Sequence, residues 1–432
     1  MQEVQIALLG YGTVGTAIAE ILKTNASEIS RRAGKHIVIK KILVSSLEKK
    51  RAIYFSTADF TTDINEILND DNISIVVEVM GGISPAAEYI SQLIEKGKHV
   101  VTANKALLAE QGQTIIDLAK AKSSMLLFEA AIAGGIPIVK IIKESLIANP
   151  IKKITAILNG TANFILTQMT QHQITFDAAL SQTQSLGYAE VDPSFDLAGI
   201  DAAHKITLLA TIAFGIPISY QQVRVSGIEE ITQLDVQYAK ALGYVIKPLA
   251  QTEVSGQACA ILVYPALLHR SHPLANVDGV MNALYIDAEG LGETMYFGAG
   301  AGGKPTASSV IADIVEVVRM KMVDAMHRVP HLAYQSINRA VNFSTEDTLS
   351  SANYLRLMVE DKVGVLASIT QVLANNNVSI EAILQKEPEI SNGIVPIIIL
   401  TKQARELNIS QVMSDLKQLP CLQNAITRIR IY

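Results

Sequence analysis

Residues 4–15 read Val4-Gln5-Ile6-Ala7-Leu8-Leu9-Gly10-Tyr11-Gly12-Thr13-Val14-Gly15. A short apolar run ends in a glycine triplet, and a helical pattern over 14–23 follows it. In that setting Gly10 makes a tight turn, Gly12 admits a pyrophosphate close to the backbone, and Gly15 lets helix and strand approach. The helix N-terminus then faces the phosphates. A glycine-rich turn with no ligand has the same letters, so the context carries the reading. Stretches 37–44, 75–79, 99–102 and 125–128 are short, apolar and bounded by turn residues or charges, as strands are. Helical spacing fills 64–68, 85–96 and 105–120 between them. This alternation predicts an α/β fold built on a Rossmann-type parallel, doubly wound sheet.

Cofactor choice turns on the end of the second strand, Val44-Ser45-Ser46-Leu47-Glu48-Lys49-Lys50-Arg51. An NAD site carries an acidic residue there for the ribose hydroxyls. Serines followed by three basic residues lean toward NADP, whose extra phosphate needs donors and positive charge, with NAD still open. The same charges also suit a solvated surface loop.

The 432 residues allow roughly three domains at about 150 each. Acidic residues number 41 and basic residues 36, a net charge of −5. That balance offers no footprint for nucleic acid or anionic lipid. A hydrophobic share of 49% against 18% charged argues against extended disorder. Cys259 and Cys421 form neither a disulfide framework nor a zinc cluster, so a reduced, cytoplasmic protein is expected. The most apolar region, 125–139, is interrupted by Glu129 and Gly134-Gly135 and is too short to cross a bilayer. The N-terminus has no basic segment ahead of its apolar run, which argues against a signal peptide.

We expect a dinucleotide-binding domain over 1–130 and a mixed α+β catalytic and dimerisation domain over 131–327. In the latter, 151–158, 259–264 and 281–287 read as strands, and 198–214 and 308–327 as long helices. A helix over about 305–327 follows a glycine-rich turn and is expected to pack back on the first domain. Residues 328–352, with Pro330 and a Ser/Thr-rich stretch, suit a linker. Over 353–432 the order is strand 354–360, helix 363–374, strands 379–385 and 394–401, helix 409–419 and strand 425–431. That β-α-β-β-α-β order is ferredoxin-like.

Polar residues concentrate twice in the middle. Asn159-Gly160-Thr161-Ala162-Asn163 sits between a strand and a helical pattern, where Asn and Thr also serve as ordinary caps. The second stretch runs from Gly187 to Asp196 and on through Asp201 and Lys205 into an almost wholly apolar helix. Asp201 and Lys205 share a helical face four residues apart. They make either a surface ion pair or a carboxylate and an ammonium group directed at a substrate, with Glu190 a third charge. A lysine is a credible proton donor to an aldehyde oxygen, because its charge stabilises the developing alkoxide. His204 points elsewhere on the helix. Lys105, in Thr102-Ala103-Asn104-Lys105, ends a strand at the sheet edge where ligands bind, or simply starts a helix at the surface.

Taken together, these motifs closely resemble homoserine dehydrogenase in its form with a C-terminal ACT domain. The resemblance runs in order through GYGTVG (10–15), TANK (102–105), FEAAIAGGIPIV (128–139), NGTANFILT (159–167) and LGYAEVDPSFDLAGIDAAHK (186–205). It continues through HPLANVDGVMNA (272–283), GAGAGGKPTASSV (298–310) and DKVGVL (361–366). It implies reversible NAD(P)H-linked reduction of L-aspartate 4-semialdehyde to L-homoserine in threonine and methionine biosynthesis. By the family's pattern Lys205 is the proton donor and acceptor, and Asp201 and Glu190 hold the substrate's amino-acid part. Lys105 lies where cofactor and substrate meet, Gly187 and Gly302 line the nicotinamide side, and Thr13 and Val14 meet the pyrophosphate. A monovalent cation, typically sodium, would be held by Glu129 and carbonyls of Ile132, Gly134 and Ile136, in a structural role. The ACT domain implies an amino-acid effector near Asp361–Gly364, threonine being the natural candidate, or else a dimerisation module without ligand. A homodimer or homotetramer follows from the same resemblance. Relatives commonly carry an Arg-Asp pair where this chain has Ser45-Ser46, which weakens the cofactor lean.

Two rivals remain. An acylating semialdehyde dehydrogenase needs an activated cysteine, and neither Cys259, inside a predicted strand, nor Cys421, in the terminal domain, suits that role. A catalytically silent amino-acid sensor on a dehydrogenase scaffold would be favoured by loss of Lys205, Asp201 or Glu190, and all three are present.

Overall fold

Strand β1 (Glu3–Leu9) and the helix Thr13–Thr24 flank the glycine triplet. The computed structural model describes residues 3–52, 54–55, 59–325, 328–336, 340–344, 349–385 and 393–432. The chain forms two units, one from residues 1–154, 201–223 and 281–340, the other from 155–200, 224–280 and 341–432.

In the first unit, β1 is joined by β2 (His36–Leu43), β3 (Asp59–Thr61), β4 (Ile73–Glu78), β5 (His99–Thr102) and β6 (Leu126–Leu127). The order is β3-β2-β1-β4-β5-β6, with every pair parallel. The chain reverses its direction of winding between β1 and β4, which opens a crevice outside their carboxyl ends. Ile6, Leu8, Ile39, Ile75, Val77 and Val101 are fully buried, as strands covered on both faces must be. The helix Gly303–Met322 lies against Thr13–Thr24 and contributes Ala307, Val310, Ile314 and Val317 to the same core.

Several bounds differ from those expected. The helix expected from 308 begins at Gly303, because Pro305 falls in the first turn, where its missing N–H has no partner to lose. It stops at Met322, and residues 326 and 327 of the expected span lie outside the described residues. The strand expected over 125–128 shrinks to an edge pair, Leu126–Leu127. A second helix, Ala26–Ala33, follows the first directly. Its capping glycine, Gly34, adopts φ +79°.

The second unit contains a long hairpin, Tyr244–Ser255 with Ala258–His269. The second of these strands runs past the expected end at 264. Pro265 faces Pro248, which confines both missing N–H groups to one rung. The terminal segment has the expected order: Ser350–Glu360, Val365–Asn375, Ile380–Gln385, Ile394–Thr401, Glu406–Leu416 and Thr427–Ile431. Its first strand lies between its last and third, all antiparallel, with the second at the edge. Residues 337–339 and 345–348 of the stretch before it are outside the described residues, as are 386–392.

This segment does not stand alone within its unit. Its last strand runs parallel to Ala258–His269 at Ala266–Arg430 and Leu267–Ile431. Tyr354, Ile398, Leu400 and Ile429 share a core with Ile165, Leu166 and Met169 of the helix Gly160–His172 and Val236 of the helix Gln233–Ala241. At the junction the fully buried Asp235 accepts from Tyr354 Oη (3.0 Å), Arg356 Nε (2.7 Å) and Arg356 Nη2 (3.1 Å). It also caps its own helix by accepting from Thr232 N–H (2.9 Å) and Oγ1 (2.7 Å). Among the described residues no helix is long and apolar enough to cross a membrane.

Replacing Arg356 by Leu leaves the Asp235 carboxylate buried without its cation. A loss of about 3–5 kcal/mol is expected, read as a lower urea midpoint, and an unchanged midpoint would show that the pair contributes nothing.

Candidate active site

The glycine triplet makes the cradle that its sequence promises. Gly10 has φ +101°, and a Cβ there would sit 2.8 Å from the Val79 carbonyl oxygen. A Cβ on Gly15 would meet the Gly10 carbonyl at 2.4 Å, so this helix can approach its strand only with glycine. A Cβ on Gly12 would meet nothing within 4 Å, which leaves room for a phosphate against the backbone. Thr13 and Val14 open the helix behind it. Gly302, at φ +111°, precedes the second helix start, and a Cβ on Gly303 would stand 3.1 Å from the Thr13 carbonyl. Two helix N-termini therefore flank the loop. These residues fit a dinucleotide.

Tyr11 closes the outer side, donating from Oη to the Ala52 carbonyl (2.9 Å) and meeting Phe60 edge-on. Arg51 folds back over Phe60 and donates to the carbonyls of Ser46 (2.7 Å) and Lys49 (2.8 Å). Of the three basic residues after β2, one is thus engaged by its own loop, and Lys49 and Lys50 stay exposed.

The helix Ile200–Phe214 is buried from Asp201 to its end. Asp201 Oδ2 meets Lys205 Nζ at 2.7 Å, and Asp201 Oδ1 meets Lys105 Nζ at 3.0 Å. The side chains of Asp201 and Lys205 are only 6% and 10% exposed, so the surface ion-pair reading fails. Lys105 arrives from the carboxyl end of β5 as the first residue of the helix Lys105–Ala121. Lys105, singled out on its own in the sequence, therefore joins the Asp201–Lys205 pair in one lysine–carboxylate–lysine cluster. His204 lies off the cluster, with its ring edge-on to Tyr220 and its Nε2 3.9 Å from Glu110. Burial pushes its pKa below the usual histidine value.

Glu190 and Gly187 belong to the second unit. Glu190 is exposed, its main-chain carbonyl accepting from Gln184 Nε2 (3.2 Å), and Gly187 has φ +74°. The Asn159–Asn163 motif holds this segment. Asn159 caps the helix Gly160–His172 at Ala162 N–H and donates to Asp196 Oδ1 (2.7 Å). Thr161 Oγ1 donates to the Tyr188 carbonyl (2.7 Å). Asn159 is an ordinary cap, as its place in the sequence allows, and it and Thr161 also brace the neighbouring loop.

Glu129 is buried and accepts from the main-chain N–H groups of Val139 (2.8 Å) and Lys140 (2.9 Å). Burial, and then the Asp313 carboxylate nearby, push its pKa up to about 7. Ala133 and Gly134 turn left-handed at φ +53° and +50°. The Gly134 carbonyl accepts from Ser309 Oγ (2.6 Å) and that of Ile136 from Ile138 N–H (2.7 Å). Each oxygen keeps a further lone pair. Hard, partly satisfied oxygens beside two buried carboxylates suit a monovalent cation. Among the described residues no group of three or more His, Cys, Asp or Glu side chains forms a metal cluster.

A residue passed over in the sequence is Glu78, the last of β4 and fully buried. Its signal was slight: one acidic letter closing an otherwise apolar strand.

A parallel sheet with a dinucleotide cradle, and a paired lysine poised beside its carboxyl edge, define a nicotinamide-dependent oxidoreductase. Residues 10–129 match the family model for the homoserine dehydrogenase NAD-binding domain, 137–315 that for homoserine dehydrogenase, and 353–421 that for the ACT domain. The chain is 45% identical over 432 residues to a homoserine dehydrogenase of Neisseria gonorrhoeae, covering 100% of this chain and 99% of that one. The crystal structure of a homoserine dehydrogenase from Thiobacillus denitrificans superposes with a TM-score of 0.93 at 43% identity, over 100% of this chain and 99% of that chain. A hyperthermophilic archaeal homoserine dehydrogenase in complex with NADPH matches at a TM-score of 0.60 and 30% identity, over 73% of this chain and 97% of its own. The chain belongs to the homoserine dehydrogenase family, and its terminal segment is an ACT domain of the kind that binds amino-acid effectors.

Because the folded state holds His204 below its unfolded pKa, its contribution is present above about pH 6.5 and is lost as pH falls through the unfolded and then the folded value. His204→Gln should therefore flatten the fall in melting temperature between about pH 7 and pH 5. An unaltered slope would assign that acid sensitivity to other groups.

Proposed function

We propose that the chain reduces L-aspartate 4-semialdehyde reversibly to L-homoserine, on the route to threonine and methionine, with Lys205 as the proton donor and acceptor. The observation that supports Lys205 is the Asp201 carboxylate set between two lysines at a buried helix start. The Lys205 and Lys105 ammonium groups present positive charge where an aldehyde oxygen would gain negative charge. When bound, the reduced nicotinamide supplies the hydride. Lys205 stabilises the oxyanion and gives it a proton. In the reverse direction Lys205 must accept a proton, so homoserine oxidation is favoured by alkaline conditions. Asp201 orients Lys205 and, with Glu190, holds the amino-acid part of the substrate, Glu190 through the α-ammonium group.

The remaining roles belong to the same reading. Gly10, Gly12, Thr13, Val14 and Gly15 hold the pyrophosphate, Gly187 and Gly302 line the nicotinamide side, and Lys105 stands where cofactor and substrate meet. The lack of an acidic residue at Ser45-Ser46 and the exposed Lys49 and Lys50 favour NADP over NAD. Glu129 and the carbonyls of Ile132, Gly134 and Ile136 hold a sodium ion in a structural role. Threonine binds near Asp361–Gly364, where Gly364 has φ +93° and a Cβ would meet nothing within 4 Å. The enzyme is cytoplasmic and assembles as a homodimer through its middle sheet, or as a tetramer through the terminal domains.

Lys205→Ala should lower kcat by roughly 10²–10⁴-fold with folding intact. Glu190→Ala should chiefly raise KM for the semialdehyde, by roughly 10–100-fold, the worth of a charge-assisted bond. Equal loss of both parameters at Glu190, with none at Lys205, would overturn these roles. With purified protein and aspartate 4-semialdehyde, NADPH absorbance should fall faster than NADH absorbance and more slowly when threonine is added. Folded, sodium-supplied protein that oxidises neither cofactor would favour the silent-sensor reading.

A further inference from the structure

We propose that Glu78 is a positioning residue for the reaction site, acting through Thr102 and Asn104 on the helix start that presents Lys105 to Asp201. The inference rests on the role given above to Lys105.

Glu78 closes an apolar strand and is fully buried, and no ion pair involving it is found among the described residues. A carboxylate in such a place is costly unless hydrogen bonds satisfy it. Oε1 accepts from the main-chain N–H groups of Met80 (2.8 Å) and Gly81 (3.2 Å). Oε2 accepts from Thr102 Oγ1 (2.6 Å), across the β4–β5 rung that pairs the two residues. The Thr102 hydroxyl spends its one proton on Glu78 and keeps its lone pairs for a different donor. That donor is the Asn104 N–H (3.0 Å). The Asn104 side chain then does two things. Its Oδ1 caps the next helix at Leu107 N–H (3.2 Å), and its Nδ2 donates to the Gly82 carbonyl (2.6 Å).

Every donor and acceptor in this relay has one direction. It ends one residue before Lys105, whose Nζ lies 3.0 Å from Asp201. The same side chain fixes the Met80–Gly82 loop, against whose start the Gly10 backbone packs. One buried carboxylate thus holds two segments at the carboxyl edge of the sheet, 80–81 directly and the helix start at 104–105 through Thr102. An apolar residue would fill the strand equally well but would orient neither of them.

The test is a mutant cycle read with NADPH and aspartate 4-semialdehyde, together with hydrogen exchange. Thr102→Val keeps the shape of the side chain and cuts the relay. It should lower kcat/KM by up to roughly 10²-fold, the cost of a misplaced group near the chemistry, and Thr102→Ser should retain most of the activity. In a Lys105→Met background, Thr102→Val should cost nothing more, since the relay acts through the missing amine. Amides of 80–82 and 104–108 should exchange faster in Thr102→Val. Should that variant fail to fold, Glu78→Gln replaces it in the same cycle. Losses that add fully in the Lys105→Met background, or exchange that is unchanged at both segments, overturn the proposal. Wild-type protein that turns over no semialdehyde would defeat the assigned reaction instead, and the exchange pattern would still decide whether the relay exists.

Discussion

The Asp201 carboxylate holds the chemistry of the first unit together. One of its oxygens takes a lysine from its own helix and the other takes a lysine from the carboxyl edge of the parallel sheet. Without it, the buried Lys205 ammonium would lose the carboxylate 2.7 Å away, a costly arrangement for a charge withdrawn from water. With it, both ammonium groups have a carboxylate oxygen within ion-pair distance. The helix start and the sheet edge, distant in sequence, are thereby fixed to one another by a single side chain.

What could be read from the sequence was what is local. The glycine triplet was legible because its three roles depend on a turn of six residues, and the structure gives each glycine the crowding or openness that role predicts. The ferredoxin-like order of the terminal segment was legible because each element carries its own periodicity. The spacing of Asp201 and Lys205 was legible as a pair, but whether the pair was exposed depends on what covers the helix. Lys105 joining them is a tertiary fact about residues nearly a hundred positions apart. Arg51 shows the same limit from the other side. As a letter it was a charge available to a phosphate, whereas in the fold it serves the carbonyls of its own loop. Glu78 could not be singled out, because nothing in one acidic letter tells how many donors surround it.

Glycine also matters where the 129–136 segment folds against 298–303. A Cβ on Gly134 would stand 2.4 Å from the Gly300 carbonyl, and one on Gly300 would collide with the Asn282 side chain. Gly135 N–H donates to the Ala299 carbonyl (3.0 Å). Two glycine-rich turns cross backbone to backbone, and the left-handed conformation of Ala133 is held there by its surroundings. This crossing brings the Glu129 turn against the segment that leads into the helix start at Gly303.

The terminal ACT domain has a consequence for anyone wishing to alter its control. Its first strand supplies Tyr354 to a core shared with the helix that braces the Tyr188 loop, and its last strand completes a ladder with the hairpin. Excising it would uncover that core and strip Asp235 of Tyr354 and Arg356. A change in its response to an amino-acid effector has to be sought by editing individual contacts in place, because the module is woven into the fabric of its unit.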